Sequence, residues 1–255
     1  RLVPVFLSTI SSLLVFLIGK KLFGFTAGLW SLLIYSAATT FVMNGRVVLA
    51  ENLLTPLYLL SVYCIVLWKR TMTIKRTIIL GLLSGLAFWT KESGTAVFLS
   101  LLFLFMKEKI KPKLIFLLSV SMVVSVGLYI AYGVYFDKEL FFAVWKTQAD
   151  REIGPQTLLY ILSNPIIVNK IYFDGWYFFG FLSLFLSFFD FGKHKFIIVP
   201  SFVYLLVLLA TLTQKGEMGW YIIPLFPFMA IASARIIDLG FTKHHWLVYL
   251  FALFI

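Results

Sequence analysis

Cysteine is nearly missing from this 255-residue chain: Cys64 stands alone inside an apolar run, which excludes an intrachain disulfide and any cysteine-based metal site. Charge is scarce as well, at 13% of residues against 61% hydrophobic, and the mean hydropathy is +0.98. A chain so poor in polar surface cannot hide its apolar side chains in one aqueous core, which makes it a polytopic membrane protein. Acids are the scarcest charge, eleven against twenty-two bases, giving a net +11. The bases are strung between hydrophobic runs instead of forming one surface with stacking aromatics, so no nucleic-acid partner is expected. A Gly-rich phosphate loop, a Ser-His-Asp arrangement and zinc spacing are all absent. Histidines are few, and the neighbours His244 and His245 lack the i, i+4 spacing of a metal pair, so no metal ligands are assigned.

What is present is a series of charge-free runs: Leu2 to Gly19, Leu22 to Gly45, Asn52 to Trp68, Leu114 to Phe136, Phe196 to Gln214 and Met218 to Ala234. Each approaches the roughly 20 residues that a bilayer requires. The shorter runs Thr77 to Thr90 and Ser93 to Met106 read as two further crossings, because the basic clusters on either side of them belong on one face. Gly175 to Phe189 completes an all-α transmembrane bundle of about nine spans plus a clipped tenth at Trp246 to Ile255, forming a single domain over 1–255. Arg1 is not preceded by Met, and the expectation is a piece of a longer protein, truncated at both ends.

Charge sorts by side. Alternate gaps place Lys20, Lys21, Lys69, Arg70, Lys75, Arg76, Lys107, Lys109, Lys111, Lys113, Lys193, Lys195, Arg235 and Lys243 on one face with only Glu108, Asp190 and Asp238. The other face balances eight bases with eight acids, so the whole excess belongs to one side, which the positive-inside rule makes cytoplasmic. The long loop 137–172 falls outside. Leu140, Phe141, Val144 and Trp145 share one helical face there, and Leu158, Leu159, Ile161 and Leu162 share another, as interfacial helices or as a folded loop on the bundle. Trp30, Trp68, Trp176 and Trp220 near span ends read as interface anchors.

Three outer places could carry chemistry. Glu51, after Asn44-Gly45-Arg46, lies about one turn into its span, where a carboxylate needs a partner or a function. Arg46 is the nearest cation. In Thr90-Lys91-Glu92-Ser93, Lys91 could meet a phosphate, Glu92 could hold it or an acceptor hydroxyl, and Ser93-Gly94 fits an anion-favouring helix start. In Gln214 to Tyr221, Lys215 and Glu217 flank glycines beside Trp220 and Tyr221, and Pro224 and Pro227 loosen the following helix. Structural readings stand beside each: an ion pair, a snorkelling lysine and a polar turn with an aromatic belt.

The order Gly19-Lys20-Lys21-Leu22-Phe23-Gly24, Ala27-Gly28, Asn44-Gly45-Arg46 with Glu51, then Gly81-Leu82-Leu83-Ser84-Gly85-Leu86-Ala87 into Thr90-Lys91, resembles the membrane glycosyltransferases of the GT-C superfamily. Its nearest group is the dolichyl-phosphate-mannose protein mannosyltransferase and aminoarabinose transferase-like family. Tyr221-Ile222-Ile223-Pro224-Leu225-Phe226-Pro227 resembles that family's outer turn and helix, although the family's His-x-Arg-Tyr is replaced by Glu217 to Tyr221 without an Arg, leaving Lys215 as the local cation. The resemblance implies inverting transfer of a sugar from a polyprenyl-phosphate donor to a protein or glycolipid acceptor on the extracytoplasmic side of the plasma membrane. It implies a principal catalytic acid upstream of Arg1, with Glu51 and Glu217 as supporting carboxylates. Arg1, Arg46, Lys91 and Lys215 become the donor-phosphate cations, and Glu92, Trp220 and Tyr221 the acceptor or sugar contacts. No cofactor is assigned, and a divalent cation stays open. The alternative is a transporter or flippase for an anionic lipid or solute, disfavoured because the charges sit at span ends rather than at mid-bilayer.

Overall fold

Long apolar runs with short polar gaps leave the backbone no partner but itself, and the described chain is helical throughout, without strands. The computed structural model describes residues 2–39, 41–42, 49–149, 175–211 and 219–243. Its helices are α1 (Leu2–Phe23), α2 (Phe25–Ala37), α3 (Ala50–Trp68), α4 (Ile74–Thr90), α5 (Thr95–Lys107), α6 (Pro112–Ala149), α7 (Gly175–Ser187), α8 (Phe191–Thr211) and α9 (Phe226–Lys243). Short 3-10 segments at Glu92–Gly94, Phe188–Asp190 and Gly219–Leu225 precede α5, α8 and α9. Among the described residues, four stretches are long and apolar enough to cross a membrane: Leu2–Phe23, Ala50–Trp68, Pro112–Thr147 and Trp220–Phe241.

Helix α3 and the first half of α9 are the buried spine, with Leu54, Tyr58, Leu59, Val62, Ile65 and Phe226 through Ala234 withdrawn from the surface. Helix α1 packs on α2, α3 and α9; α4 packs on α3, α5 and α6; α8 packs on α5 and α7 packs on α9. Apolar burial drives little association where the solvent is hydrocarbon, so polar ties and small residues set these contacts. The buried Tyr58 hydroxyl donates to the Pro200 carbonyl (2.8 Å) and accepts from Ser100 Oγ (2.6 Å), tying α3, α5 and α8 together. Helix α6 is peripheral and turns Phe116, Val123 and Tyr135 outward.

The basic clusters do gather at one end. Lys195 pairs with Glu108, Lys69 lies on the Phe196 ring, and Phe23 lies between His194 and Arg235. Gly24, at φ +107°, turns the chain from α1 into α2, a backbone region closed to most L-residues. One expectation changes. The run Leu22 to Gly45 is not one helix, because α2 stops at Ala37 and Ala38 is extended. At Asp137 (φ −161°, ψ 95°) the helical path breaks, and the Asp137 carboxylate caps the Leu140 N–H at 2.9 Å. Phe141 then packs back on Gly133 and Tyr129, so the helix over 138–149 folds against α6's own body, with Phe141 and Trp145 inward and Leu140 and Val144 exposed.

Gly81 and Gly85 give the sequence motif its physical meaning. A Cβ at Gly81 would lie 2.4 Å from Ser121 Cβ, and one at Gly85 would lie 2.2 Å from Ser125 Oγ, so α4 and α6 meet through a small-residue seam. Gly85→Ile is expected to cost about 1–3 kcal/mol through overpacking, read as a lowered thermal midpoint of the full-length protein in detergent. An unchanged midpoint would show that the seam yields.

Candidate functional site

Glu51 stands in the first turn of α3, whose N-cap Leu49 is extended, and it is only 2% exposed. A helix start favours a carboxylate, but burial demands a counter-charge. Lys91 supplies it: its ammonium forms an ion pair with Glu51 Oε1. The partner comes from forty residues along the chain, across the turn between α4 and α5.

That turn is built to aim Lys91 inward. Lys91 adopts extended backbone, its N–H still bonds the Ala87 carbonyl (3.2 Å), and its own carbonyl accepts from Gly94 N–H (2.8 Å). The Glu92 carbonyl accepts from Thr95 Oγ1 (2.7 Å), closing the 3-10 turn onto α5. Gly94 fits only because it lacks a Cβ, which would lie 2.0 Å from the Ala87 carbonyl oxygen. Since Gly94 N–H is already bonded to Lys91, the expected anion-favouring helix start is not free at that position.

The third wall is the segment before α9. The Lys91 ammonium lies 3.6 Å from the centroid of Tyr221, a cation–π contact, and Trp220 stacks beside Tyr221 at 6.2 Å and 19°. Tyr204, fully buried on α8, donates its hydroxyl to the Tyr221 carbonyl at 2.8 Å and so fixes the backbone that carries the ring. Ser93 is buried next to it. Lys91 keeps about a quarter of its side chain exposed (24%) while Glu51 is sealed. An ammonium held by one carboxylate and one ring still has an N–H to offer a third, anionic group.

Of the sequence-assigned residues, the structure brings together Glu51, Lys91, Tyr221 and Trp220. The Glu92 side chain is exposed, and it is Glu51 that holds Lys91. Neighbouring residues in the turn point in different directions, so only one of the two can face inward. Glu51 pairs with Lys91, forty residues away, and Arg46, the nearest cation in the sequence, lies outside the described residues. Arg1, Arg46, Lys215 and Glu217 lie outside the described residues, as does the second apolar face of the long loop. Tyr204 was missed by sequence reading; its one signal is a polar-tipped aromatic in mid-run on α8. Among the described residues no group of three or more His, Cys, Asp or Glu gathers to hold a metal.

Residues 1–131 match the family model described as dolichyl-phosphate-mannose-protein mannosyltransferase. A search of curated proteins finds no match. Among solved structures, the oligosaccharyltransferase of Archaeoglobus fulgidus in complex with Zn and sulfate is similar in fold, with a TM-score of 0.57 and 15% identity over 98% of this chain and 39% of that one. The Archaeoglobus fulgidus oligosaccharyltransferase AglB, in complex with an inhibitory peptide and a dolichol-phosphate, is similar at a TM-score of 0.56 and 13% identity, over 97% of this chain and 40% of that one. The chain therefore spans about two fifths of the length of these neighbours.

Proposed function

Because the chain belongs to the dolichyl-phosphate-mannose-protein mannosyltransferase family of GT-C membrane glycosyltransferases, we propose that it moves a sugar from a polyprenyl-phosphate donor to a protein or glycolipid acceptor, with inversion, on the extracytoplasmic side of the plasma membrane. The observation that carries this reading is the sealed Glu51 holding Lys91 on the Tyr221 ring at the end of the bundle opposite the basic clusters. A neighbour of similar fold was complexed with a dolichol-phosphate, which supports a lipid-phosphate donor.

In this reading the described helices run along the bilayer normal, and the four long apolar stretches span it. The seventeen residues of α4 span about 25 Å at 1.5 Å each. A hydrocarbon core is about 30 Å thick. Lys91 then lies near the boundary between hydrocarbon and headgroups, at the depth of a lipid-borne phosphate. In the reaction the bond from the anomeric carbon to the phosphate oxygen breaks, and the electron pair leaves with the polyprenyl phosphate. The acceptor oxygen bonds to the anomeric carbon from the opposite face, and its proton passes to a base. Lys91, joined by Arg1, Arg46 and Lys215, stabilises the charge growing on the leaving phosphate. Glu51 is engaged with Lys91, so it orients that cation rather than taking the proton. The base is a carboxylate outside these 255 residues, and Glu217 supports the outer turn. Trp220 and Tyr221 offer the sugar an aromatic face.

Full-length protein in sealed vesicles, supplied with labelled polyprenyl-phosphate sugar and acceptor, is expected to yield labelled acceptor and free polyprenyl phosphate. Donor that crosses the membrane intact, with no glycosidic bond cleaved, would make the protein a transporter. Use of a nucleotide sugar in place of the lipid donor would equally sink the reading.

A further inference from the structure

At the end of the bundle away from Lys91, helix termini bring five charges together. Lys21 lies in the last turn of α1, Lys69 and Arg70 follow α3, Glu108 follows α5, and Lys195 lies near the start of α8. Lys195 and Glu108 form an ion pair whose side chains are 21% and 14% exposed. The buried Phe196 ring serves two cations, with Lys69 Nζ at 4.5 Å and Lys195 Nζ at 5.6 Å from its centroid.

Burial lowers the pKa of the Lys69 ammonium, Glu108 opposes that shift, and Lys195, Arg70 and Lys21 add to it. Lys69 and Lys195 thus share one ring, Lys69 also senses the charges of Arg70 and Lys21, and the carboxylate of Glu108 already pairs with Lys195. The aromatic ring fixes the position of the ammoniums without neutralising them. A fold that holds like charges this close carries a repulsion that a bound anion would relieve. Leu67 on α3 and Phe103 on α5 are exposed, so the helices that lead to these charges also present apolar side chains. A ligand joining an anionic head to hydrocarbon tails would meet both features.

We propose that Lys21, Lys69, Arg70 and Lys195 form a phosphate-binding site for the headgroup of an anionic phospholipid in the leaflet at the basic end. Phosphate oxygens accept several charge-assisted bonds at once, and a clamp of converging cations uses them better than scattered lysines do. The site lies the length of α3 from the Glu51–Lys91 pair, about 27 Å for eighteen residues, and its existence does not depend on what that pair does.

The test uses full-length protein in phosphatidylcholine nanodiscs with a trace of labelled phosphatidylglycerol, counting the label retained per protein. Lys21→Gln with Lys69→Gln is expected to reduce retention at least about tenfold. Lys75→Gln with Lys111→Gln removes the same charge from exposed positions at the same end and is expected to change it less than about twofold. Thermal midpoints check that both variants fold, and if the first pair does not fold, Arg70→Gln takes its place. Equal losses in the two pairs would overturn the site in favour of diffuse attraction. Inorganic phosphate that displaces the label as well as short-chain phosphatidylglycerol does would overturn the lipid as its source.

Discussion

Lys91→Ala in the full-length protein is expected to lower sugar transfer by about 100- to 1,000-fold, the scale lost when a group facing developing negative charge is removed. It is also expected to destabilise the protein. Glu51 would stay sealed at 2% exposure with its ion-pair partner gone, and breaking a buried pair from one side costs about 3–5 kcal/mol. The two effects separate in a double substitution. Glu51→Gln with Lys91→Met removes both charges at similar volume, so the thermal midpoint should return close to wild type while transfer stays lost. Transfer that returns along with stability would give Lys91 a structural role alone.

Gly94→Ala is expected to do comparable harm with a single methyl group. Its Cβ would lie 2.0 Å from the Ala87 carbonyl oxygen, 2.3 Å from the Ala87 carbonyl carbon and 2.8 Å from the Phe88 nitrogen. All three are backbone atoms of the last turn of α4 and cannot rotate away. Relieving the clash means opening the turn, at about 1–3 kcal/mol, and moving Lys91 off the Tyr221 ring. A displacement of about 1 Å at a positioned group can cost around 100-fold in rate. Gly24→Ala is the control of opposite kind: nothing lies within 4 Å of its added Cβ, but its φ of +107° is strained for alanine. It should lower the thermal midpoint and leave transfer unchanged. Equal turnover in Gly94→Ala and wild type would mean that the turn does not position Lys91.

The helical bundle was legible from charge spacing because lipid removes every alternative for the backbone, and the same spacing put the basic clusters at one end. The interruption of α2 at Ala38 was not legible. Its run contains neither charge nor proline from Leu22 to Gly45, and the break shows only in the backbone. At the site, a carboxylate one turn into a span marked Glu51 as needing a partner. Local spacing offered Arg46, which lies outside the described residues, while the Lys91 partner comes from packing of α3 against the α4–α5 turn, which spacing does not show. Glu92 drew attention because it adjoins Lys91 in sequence, yet a 3-10 turn faces adjacent side chains apart. Tyr204 left only the signal of a polar-tipped aromatic in mid-run, since its role rests on one hydrogen bond to a carbonyl seventeen residues away.

The forty-residue separation of Glu51 from Lys91 also bears on biosynthesis. When α3 leaves the ribosome, its carboxylate has no lysine to meet until α4 and the following turn have been made. At about 5–20 residues per second this interval lasts seconds. During it, α3 lacks the partner that buries its carboxylate in the folded chain. A nascent chain halted between Glu51 and Lys91 is therefore expected to be held at the translocation machinery longer than one halted after Lys91, instead of being released into lipid.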